Sequence, residues 1–531
     1  MNQRKEFFLD HFKLVSKYKT LFDNESRKDW KKQLPMPIYD ERPEYVLFYM
    51  KAWELAFAHI KEIPGMPQTP YMDEAFCDTQ IWIWDTCFMS LFCKYASAIF
   101  PGVESFRNFY EVLYADRRLP MVIPTDKEPK WTGSVAGEPY ELKVHMADNP
   151  PLFAWAELEN AKIRGDIEYL QQLLYKEQFL QKHYDWIENL KTQTTLEGVF
   201  KHTCLICEAD GYKWEGGCSG MDNAPRGRCG KHAKNQRPNN PRMLWLDAIC
   251  QQALSAKTIS EMFSIVGDVR ETQFWEKRFL EKKDIINRLY WDEQDDFYYD
   301  IDCETHDFYK IKTMASYWTL TSTVASHERA LALVKELENP QTFGGVVSFP
   351  SLARNDNDFC DNGEYWRGSV WLPTAYAALK GLVNYSFYEE AHRLSRSLLE
   401  HMYQTYQTVE PHTIWECYSP TEPKPAFTED GDGKYVRPDF CGWSALGPIS
   451  IFIEFVLGFH TIDAFSNKVV WQKPKTDKRI GIQNLNFGNI KTDIEAIGDR
   501  LSVTSNAPYT LEINGRIYNI TAGTHNFECQ L

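Results

Sequence analysis

The sequence predicts an all-α body of helical hairpins followed by a small β-rich unit. Two observations predict it. From residue 1 to about 465, apolar residues recur with the helical period between long, polar, Gly- and Pro-containing connections; from about Asn467 the texture changes to short alternating segments rich in turns. The helical period is clearest in Trp84, Phe88, Leu91, Phe92 and Tyr95, in Leu246, Ile249, Cys250 and Ala253, in Val370, Trp371, Thr374, Ala375, Ala378, Leu379 and Leu382, and in Tyr388, Ala391, Leu394, Leu398 and Met402. The last two faces flank the short GLVNYS connection, which predicts a pair of antiparallel neighbours, the unit an α/α toroid repeats. No repeat of fixed period is readable. In the C-terminal segment, RIGIQNLNFGNI and DRLSVTSNAPYTLEING alternate as strands do, and Asn514-Gly515 is a hairpin signal.

Composition bounds the function. The 59 basic against 74 acidic residues give a net charge of -15, and no basic stripe gathers phosphates, so nucleic acid is not an expected partner. No apolar run approaches the ~18 residues a membrane helix needs, and the N-terminal MNQRKEFFLDHFKLVSKYK lacks the apolar stretch of a secretory signal, so a cytoplasmic location is expected. The 17 Trp suit a carbohydrate cleft, where flat indoles stack on sugar C–H faces, although most must serve the core. The 13 Cys are odd in number and scattered, as reduced thiols are; Cys204 and Cys207 form a C-x-x-C without a second close pair, so no metal or other cofactor is expected.

The residues with chemical promise fall in WIWDTCF (82–88), GGCSGMDNAPRGR (216–228), NGEYWRGSVW (362–371) and HTIWECYSP (412–420). In the second segment Gly216, Gly217 and Gly220 give a permissive backbone, and Pro225 resists helix continuation, so the loop can hold Asp222 at a fixed angle. The ordinary alternative is an Asp capping a turn. Glu416, set between Trp415 and Cys417, occupies an apolar neighbourhood that disfavours charge unless something rewards it; the alternative is a Glu paired with an Arg at a helix end. Cleavage of a glycosidic bond needs two carboxyl groups on opposite sides of it, and Asp222 and Glu416, on different hairpins, would meet only across a central cleft.

Taken in order, W-x-W-D-x-x-F from Trp82, S-G-x-D-N-x-P-R from Ser219, Y-W-R-G-x-x-W from Tyr365, W-E-x-Y from Trp415 and G-W-x-x-L from Gly442 resemble glycoside hydrolase family 63, in particular its bacterial, mannosylglycerate hydrolase-like members. The resemblance covers most of residues 70–460. It implies an (α/α)6 toroid over residues 1–465 with a small, sandwich-like β domain at 466–531, and inverting hydrolysis of an α-glycosidic bond in a carbohydrate substrate. By the same resemblance Asp222 is the general acid and Glu416 the general base, while Trp84, Asp85, Asn149, Trp366 and Arg367 line the sugar site, with Asn223, Trp415 and Trp443 beside them in the motifs.

Inversion implies carboxyl groups ~6.5–9.5 Å apart, leaving room for a water. Asp222 is then expected to keep its proton near neutral pH through burial or neighbouring carboxylates. Asp85 has a second reading, the N-cap of a helix starting at Thr86, and Trp366 with Arg367 has another, an Arg stacked on a Trp. The chain departs from the family pattern at Ala224, where Ser is common, at Asn149, where Gln is common, and in the basic, Pro-rich segment 226–242, expected to form a lid or rim. Residues 289–302 are expected to form a hairpin. The rivals are a trehalase-like enzyme, although its Q-W-D-Y-P-x-G-W segment is missing, a silent carbohydrate-binding protein, and an isomerase that would use His412.

Overall fold

In the computed structural model, which describes residues 29–62, 68–74, 80–111, 122–124, 150–189, 205–214, 219–228 and 240–528, the helices alternate between two kinds. Numbered in chain order, those that build the body are α1 (Glu44–Ala58), α2 (Ile83–Cys93), α3 (Gly102–Glu111), α4 (Phe153–Arg164), α5 (Phe179–Glu188), α6 (Leu246–Ile265), α7 (Val269–Leu289), α8 (Trp318–Thr321), α9 (His327–Glu338), α10 (Leu372–Asn384), α11 (Tyr388–Thr408) and α12 (Gly447–Val456). The even-numbered ones are buried around most of their circumference, and every residue of α2 and of α12 is shielded from solvent. Odd-numbered helices are amphipathic. Along α7 only Trp275, Lys282 and Ile286 are buried, and α11 buries the Ala391, Leu394, Leu398 and Met402 face expected from its period.

This difference sorts the helices into an inner and an outer set. The inner helices touch in the order α2, α4, α6, α8, α10, α12, and α12 returns to α2, so the packing order closes on itself. Trp155 of α4 fills the middle, meeting Phe88 at 6.1 Å, Trp318 at 5.9 Å and Tyr376 at 6.0 Å between ring centroids. The N-terminal ends of α2, α10 and α12 and the residues just before them bring Trp84, Trp366 and Trp443 together, and the C-terminal ends of the same helices bring Lys94, Lys380 and Glu454 together. These three inner helices therefore run in one direction, with the conspicuous motifs at their N-terminal ends. The 289–302 segment contains the expected hairpin, Trp291–Asp292 against Phe297–Tyr298.

Beyond α12 the chain forms strands β2 (Thr461–Asp463), β3 (Lys468–Trp471), β4 (Arg479–Phe487), β5 (Ile490–Ile497), β6 (Arg500–Ser505), β7 (Tyr509–Ile513), β8 (Arg516–Ile520) and β9 (Gly523–Glu528). One sheet has the order β1-β4-β5-β6-β9, where β1 is Met36–Tyr39 from near the N-terminus, and the other β2-β3-β7-β8. Alternation sets the faces: on β5, Ile490, Thr492, Ile494 and Ala496 point inward and Lys491 outward. Phe487 meets Tyr509 across the sheets at 5.6 Å, and the Asn514-Gly515 turn joins β7 to β8 with φ of 48° and 83°, the left-handed pair a tight hairpin requires. The β unit begins ahead of the expected boundary at 466 and takes in a strand from outside the expected segment. It starts at Thr461 and borrows β1, whose Ile38 and Tyr39 are buried against it.

The β unit also finishes α4. The N–H groups of Ala464 and Gly488 donate to the carbonyls of Lys162 (2.7 Å) and Ile163 (2.8 Å), which a helix end leaves without internal partners. Among the described residues no helix is long and apolar enough to cross a membrane, and no group of His, Cys, Asp and Glu could hold a metal ion. Cys207 is buried, and Cys204 lies outside the described residues.

Candidate active site

Trp84 and Asp85 belong to the first turn of α2. Asp85 is not the cap: the extended Trp82 (φ -106°, ψ 144°) precedes a helix that already begins at Ile83, so the carboxyl lies inside the turn with no capping role. Asp222 sits on a turn after Gly220, whose φ of +84° and missing Cβ let the loop close on Trp84; a Cβ there would stand 2.4 Å from the indole. Asn223 is wholly buried and uses its amide to join two loops, Nδ2 donating to the Glu364 carbonyl (3.1 Å) and Oδ1 accepting from the Trp366 N–H (2.8 Å).

Arg226 then fixes the loop from behind, pairing with Asp247 (2.5 Å) and Asp300 (2.6 Å) over the face of Trp245 (4.6 Å). The 226–242 segment was expected as lid or rim, yet its first residue is a buried anchor, because a guanidinium shared by two buried carboxylates cannot be left at a rim. Residues 229–239 lie outside the described residues, as does Asn149.

Across from this loop, Gly363, Glu364 and Tyr365 take φ of 90°, 41° and 67° in succession. Two non-glycine residues in the left-handed region store strain, which persists where the surroundings dictate it and is concentrated at functional sites. The bend carries the Tyr365 hydroxyl to Oε1 of Glu416, to which it donates at 3.0 Å. Glu416 is held at its backbone as well: its N–H donates to the Arg437 carbonyl, and its carbonyl accepts from Trp443 Nε1 and Ser444 Oγ, all at 3.0 Å. The Arg437 N–H reaches Oε2 at 3.5 Å, and its guanidinium stands 3.6 Å from Oε1.

The electrostatics tie the carboxyl groups together. Burial pushes the Asp85 carboxyl well above its usual range, and the negative charges of Asp222 and Glu416 push the same way against Arg437. Glu74, also fully buried, is raised by burial and then by Asp85; its Oε1 accepts the Trp82 N–H at 2.5 Å while Oε2 has no hydrogen-bond partner among the described residues. Burial raises Glu416 too, opposed by Arg437 and the Tyr365 hydroxyl. Glu74, Tyr365 and Arg437 escape a reading of the sequence. Tyr365 stands in the Y-W-R-G motif and could have been weighed there, but Arg437 and Glu74 lie in segments with no chemical pattern.

Four buried indoles pack together beside these carboxyl groups. Trp366 stacks on Trp371 (4.2 Å, 1° between planes), Trp84 lies 6.3 Å from Trp366 and 6.0 Å from Trp443, and Trp443 meets Trp371 edge-on at 5.6 Å. Arg367 does not stack on Trp366. Its guanidinium, buried, pairs with Asp358 at 3.1 Å, and Asp358 also pairs with Arg228, so the two loops are tied by a shared carboxylate. Trp415 packs against Tyr435 at 5.8 Å. His412 bonds the Tyr406 carbonyl (2.9 Å) and pairs with Glu410 (3.1 Å), partners that leave it without a link to the carboxyl cluster.

Comparison with known proteins gives this arrangement a family. The model of the mannosylglycerate hydrolase MGH1-like glycoside hydrolase domain matches residues 79–431, which include Asp85, Asp222 and Glu416. An uncharacterised protein of Borreliella burgdorferi is 26% identical over 349 residues, covering 65% of this chain and 66% of its own length. A probable mannosyl-oligosaccharide glucosidase of Schizosaccharomyces pombe is 23% identical over 459 residues, or 73% of this chain and 50% of that protein. The chain therefore spans about two thirds of the first of these relatives and half of the second. In fold it is similar to the GH63 mannosylglycerate hydrolase of Thermus thermophilus, with a TM-score of 0.54 at 17% identity over 76% of this chain and 99% of that one. The chain belongs to the mannosylglycerate hydrolase MGH1-like family of glycoside hydrolases.

Proposed function

We propose that the protein is an inverting hydrolase of α-glycosidic bonds, with Asp222 as general acid and Glu416 as general base at one mouth of an (α/α)6 toroid. The observation that carries this reading is Asp85, a buried carboxyl near enough to Asp222 and Glu416 to feel the charge of both, beside the packed indoles of Trp84, Trp366 and Trp443. Burying carboxylates side by side is costly, and sites that do so are those whose chemistry moves protons. Support for the toroid is the closed packing order of the even-numbered helices.

In the reaction the Asp222 proton passes to the glycosidic oxygen as its bond to C1 breaks. Glu416 takes a proton from a water whose oxygen bonds to C1 from the opposite face, so the sugar leaves with inverted configuration. Tyr365 and Arg437 favour the ionised form of Glu416 against its burial. Asp85 keeps its proton to higher pH than an exposed carboxyl and can donate to a sugar hydroxyl. The substrate is a small α-glucoside or α-mannoside, glycosylglycerates included, in line with the glucosidase and mannosylglycerate hydrolase among its relatives.

Time-resolved proton NMR on mannosylglycerate, α-glucosides, α-mannosides and trehalose tests this. From an α-linked substrate the β-anomer is expected first, and Asp222→Asn and Glu416→Gln are each expected to lose ~10²–10⁴-fold in kcat while unfolding at the wild-type temperature. Appearance of the α-anomer first would refute inversion. Undiminished activity in either variant would refute that residue's role, cleavage of trehalose alone would make the enzyme trehalase-like, and sugar binding without turnover by the wild type would leave a silent binding protein.

A further inference from the structure

The N-terminal end of α2 does not use the cap its own sequence could supply. Trp82, in the N-cap place, offers no side-chain bond to the turn, and the third residue of the helix, which in a capping box reaches back to the N-cap N–H, is Asp85. That N–H is taken instead by Glu74, whose Oε1 accepts it at 2.5 Å. Glu74 thus does from another segment what the third helical residue would otherwise do, and the carboxyl relieved of this duty is the one that feels both Asp222 and Glu416.

Glu74 is itself held from both sides. The N–H of Asp73 donates to the His59 carbonyl (3.1 Å), and the Asp73 carboxyl oxygens meet His59 Nδ1 (2.6 Å) and the Lys61 ammonium (3.2 Å), so the backbone entering Glu74 is fixed just beyond α1. The Glu74 carbonyl lies against Gly442, where a Cβ would stand 2.7 Å from its oxygen. The next residue is Trp443, whose indole meets Trp84 at 6.0 Å and donates to the Glu416 carbonyl. Oε2 of Glu74 is buried with no hydrogen-bond partner among the described residues. An ionised carboxylate would leave much of its charge unmet there, whereas a neutral acid accepting through its carbonyl oxygen fits the place, in line with the burial and the Asp85 charge that raise it.

We propose that Glu74 is a positioning residue of the hydrolytic site: by taking the Trp82 N–H it keeps the Asp85 carboxyl off the helix end and turned to the sugar. The inference rests on Asp85 as a sugar-binding group, its role in the proposed reaction. Without Glu74 the Trp82 N–H would be a part-buried donor in need of an acceptor, and helix geometry places the Asp85 carboxyl to return to it.

Crystal structures and kinetics of two full-chain variants test this: Glu74→Met, which fills the same space without an acceptor, and Glu74→Gln, whose amide oxygen can take the same N–H. In Glu74→Met the Asp85 carboxyl is expected to swing onto the Trp82 N–H, and kcat/KM on the substrate the wild type cleaves best to fall ~10²-fold, as misplacing a substrate-positioning group does. Glu74→Gln is expected to leave Asp85 in place and to recover most of that loss. Because Glu74 acts through Asp85, adding Glu74→Met to Asp85→Ala is expected to cost less than ~3-fold more, whereas a merely structural Glu74 would multiply its loss onto that of Asp85. Should Glu74→Met not fold, Glu74→Asp, a methylene shorter, replaces it in each comparison. An Asp85 carboxyl that stays put when the acceptor is removed, a Glu74→Gln variant as impaired as Glu74→Met, or losses that multiply overturn the proposal. If the wild type cleaves no α-glycoside, the catalytic reading fails, and the Asp85 position in the variant structures still decides whether Glu74 holds it off the helix end.

Discussion

Glu416 is asked to carry a negative charge where burial resists it, and Arg437 is the counterweight. Burial raises its pKa, while Arg437, then the Tyr365 hydroxyl, lower it. A general base works only when ionised, so kcat/KM falls as the pH drops through the pKa of Glu416, and the acid limb should lie above that of an ordinary glutamate. Replacing Arg437 by Met removes the main opposition to burial. The acid limb of kcat/KM is then expected to move to still higher pH with activity at alkaline pH largely kept; a limb that stays put would mean another group governs it. Asp222 and Glu416 stand out in the sequence only through the ordered motifs that resemble a family, since a carboxylate in a Gly-rich or aromatic loop is as readily a turn cap or an ion-pair partner. Arg437 is not legible, since an Arg 21 positions downstream of its partner, half-exposed in a polar loop, resembles any surface arginine.

The loop that carries Asp222 is short and irregular, so its position is set from outside. Asn223 pins it to the Glu364–Trp366 bend, and Arg226 pins it to Asp247 and Asp300. Arg226→Met would strand two buried carboxylates, a change of the kind that costs ~3–5 kcal/mol. The expected result is a lower Tm with a fall in kcat larger than any rise in KM, because the acid would be misplaced more than the sugar; equal stability in thermal melts would show that the anchor is dispensable. Helices with strong periodicity, such as α10 and α11, are readable from sequence, and so is the hairpin between β7 and β8. The strained bend at Gly363–Tyr365 and the recruitment of β1 are not: the first depends on contacts with a loop 141 positions away, and the second places four residues near the N-terminus beside β4.

At the scale of the whole molecule, the β unit is part of the helical body's own bonding. Its Ala464 and Gly488 N–H groups cap the end of α4, Trp471 donates to the Leu457 carbonyl beyond α12 at 2.7 Å, and Asn484 donates to the Leu34 carbonyl at 2.8 Å. Pulling the unit away would leave an inner helix with bare carbonyls and would take β1 with it or break the β1–β4 pairing. Unfolding of one part therefore removes contacts on which the other depends, and differential scanning calorimetry is expected to record one cooperative transition. Gly165, at the join, gives a way to press on it. Its φ is +65°, and a Cβ there would approach the Ala464 Cβ to 2.7 Å. Gly165→Val is expected to lower that single transition by several degrees, as a strained, crowded turn costs ~1–3 kcal/mol. Two separate peaks in the wild type would mean that the β unit melts on its own and that its caps on α4 contribute little to the ring.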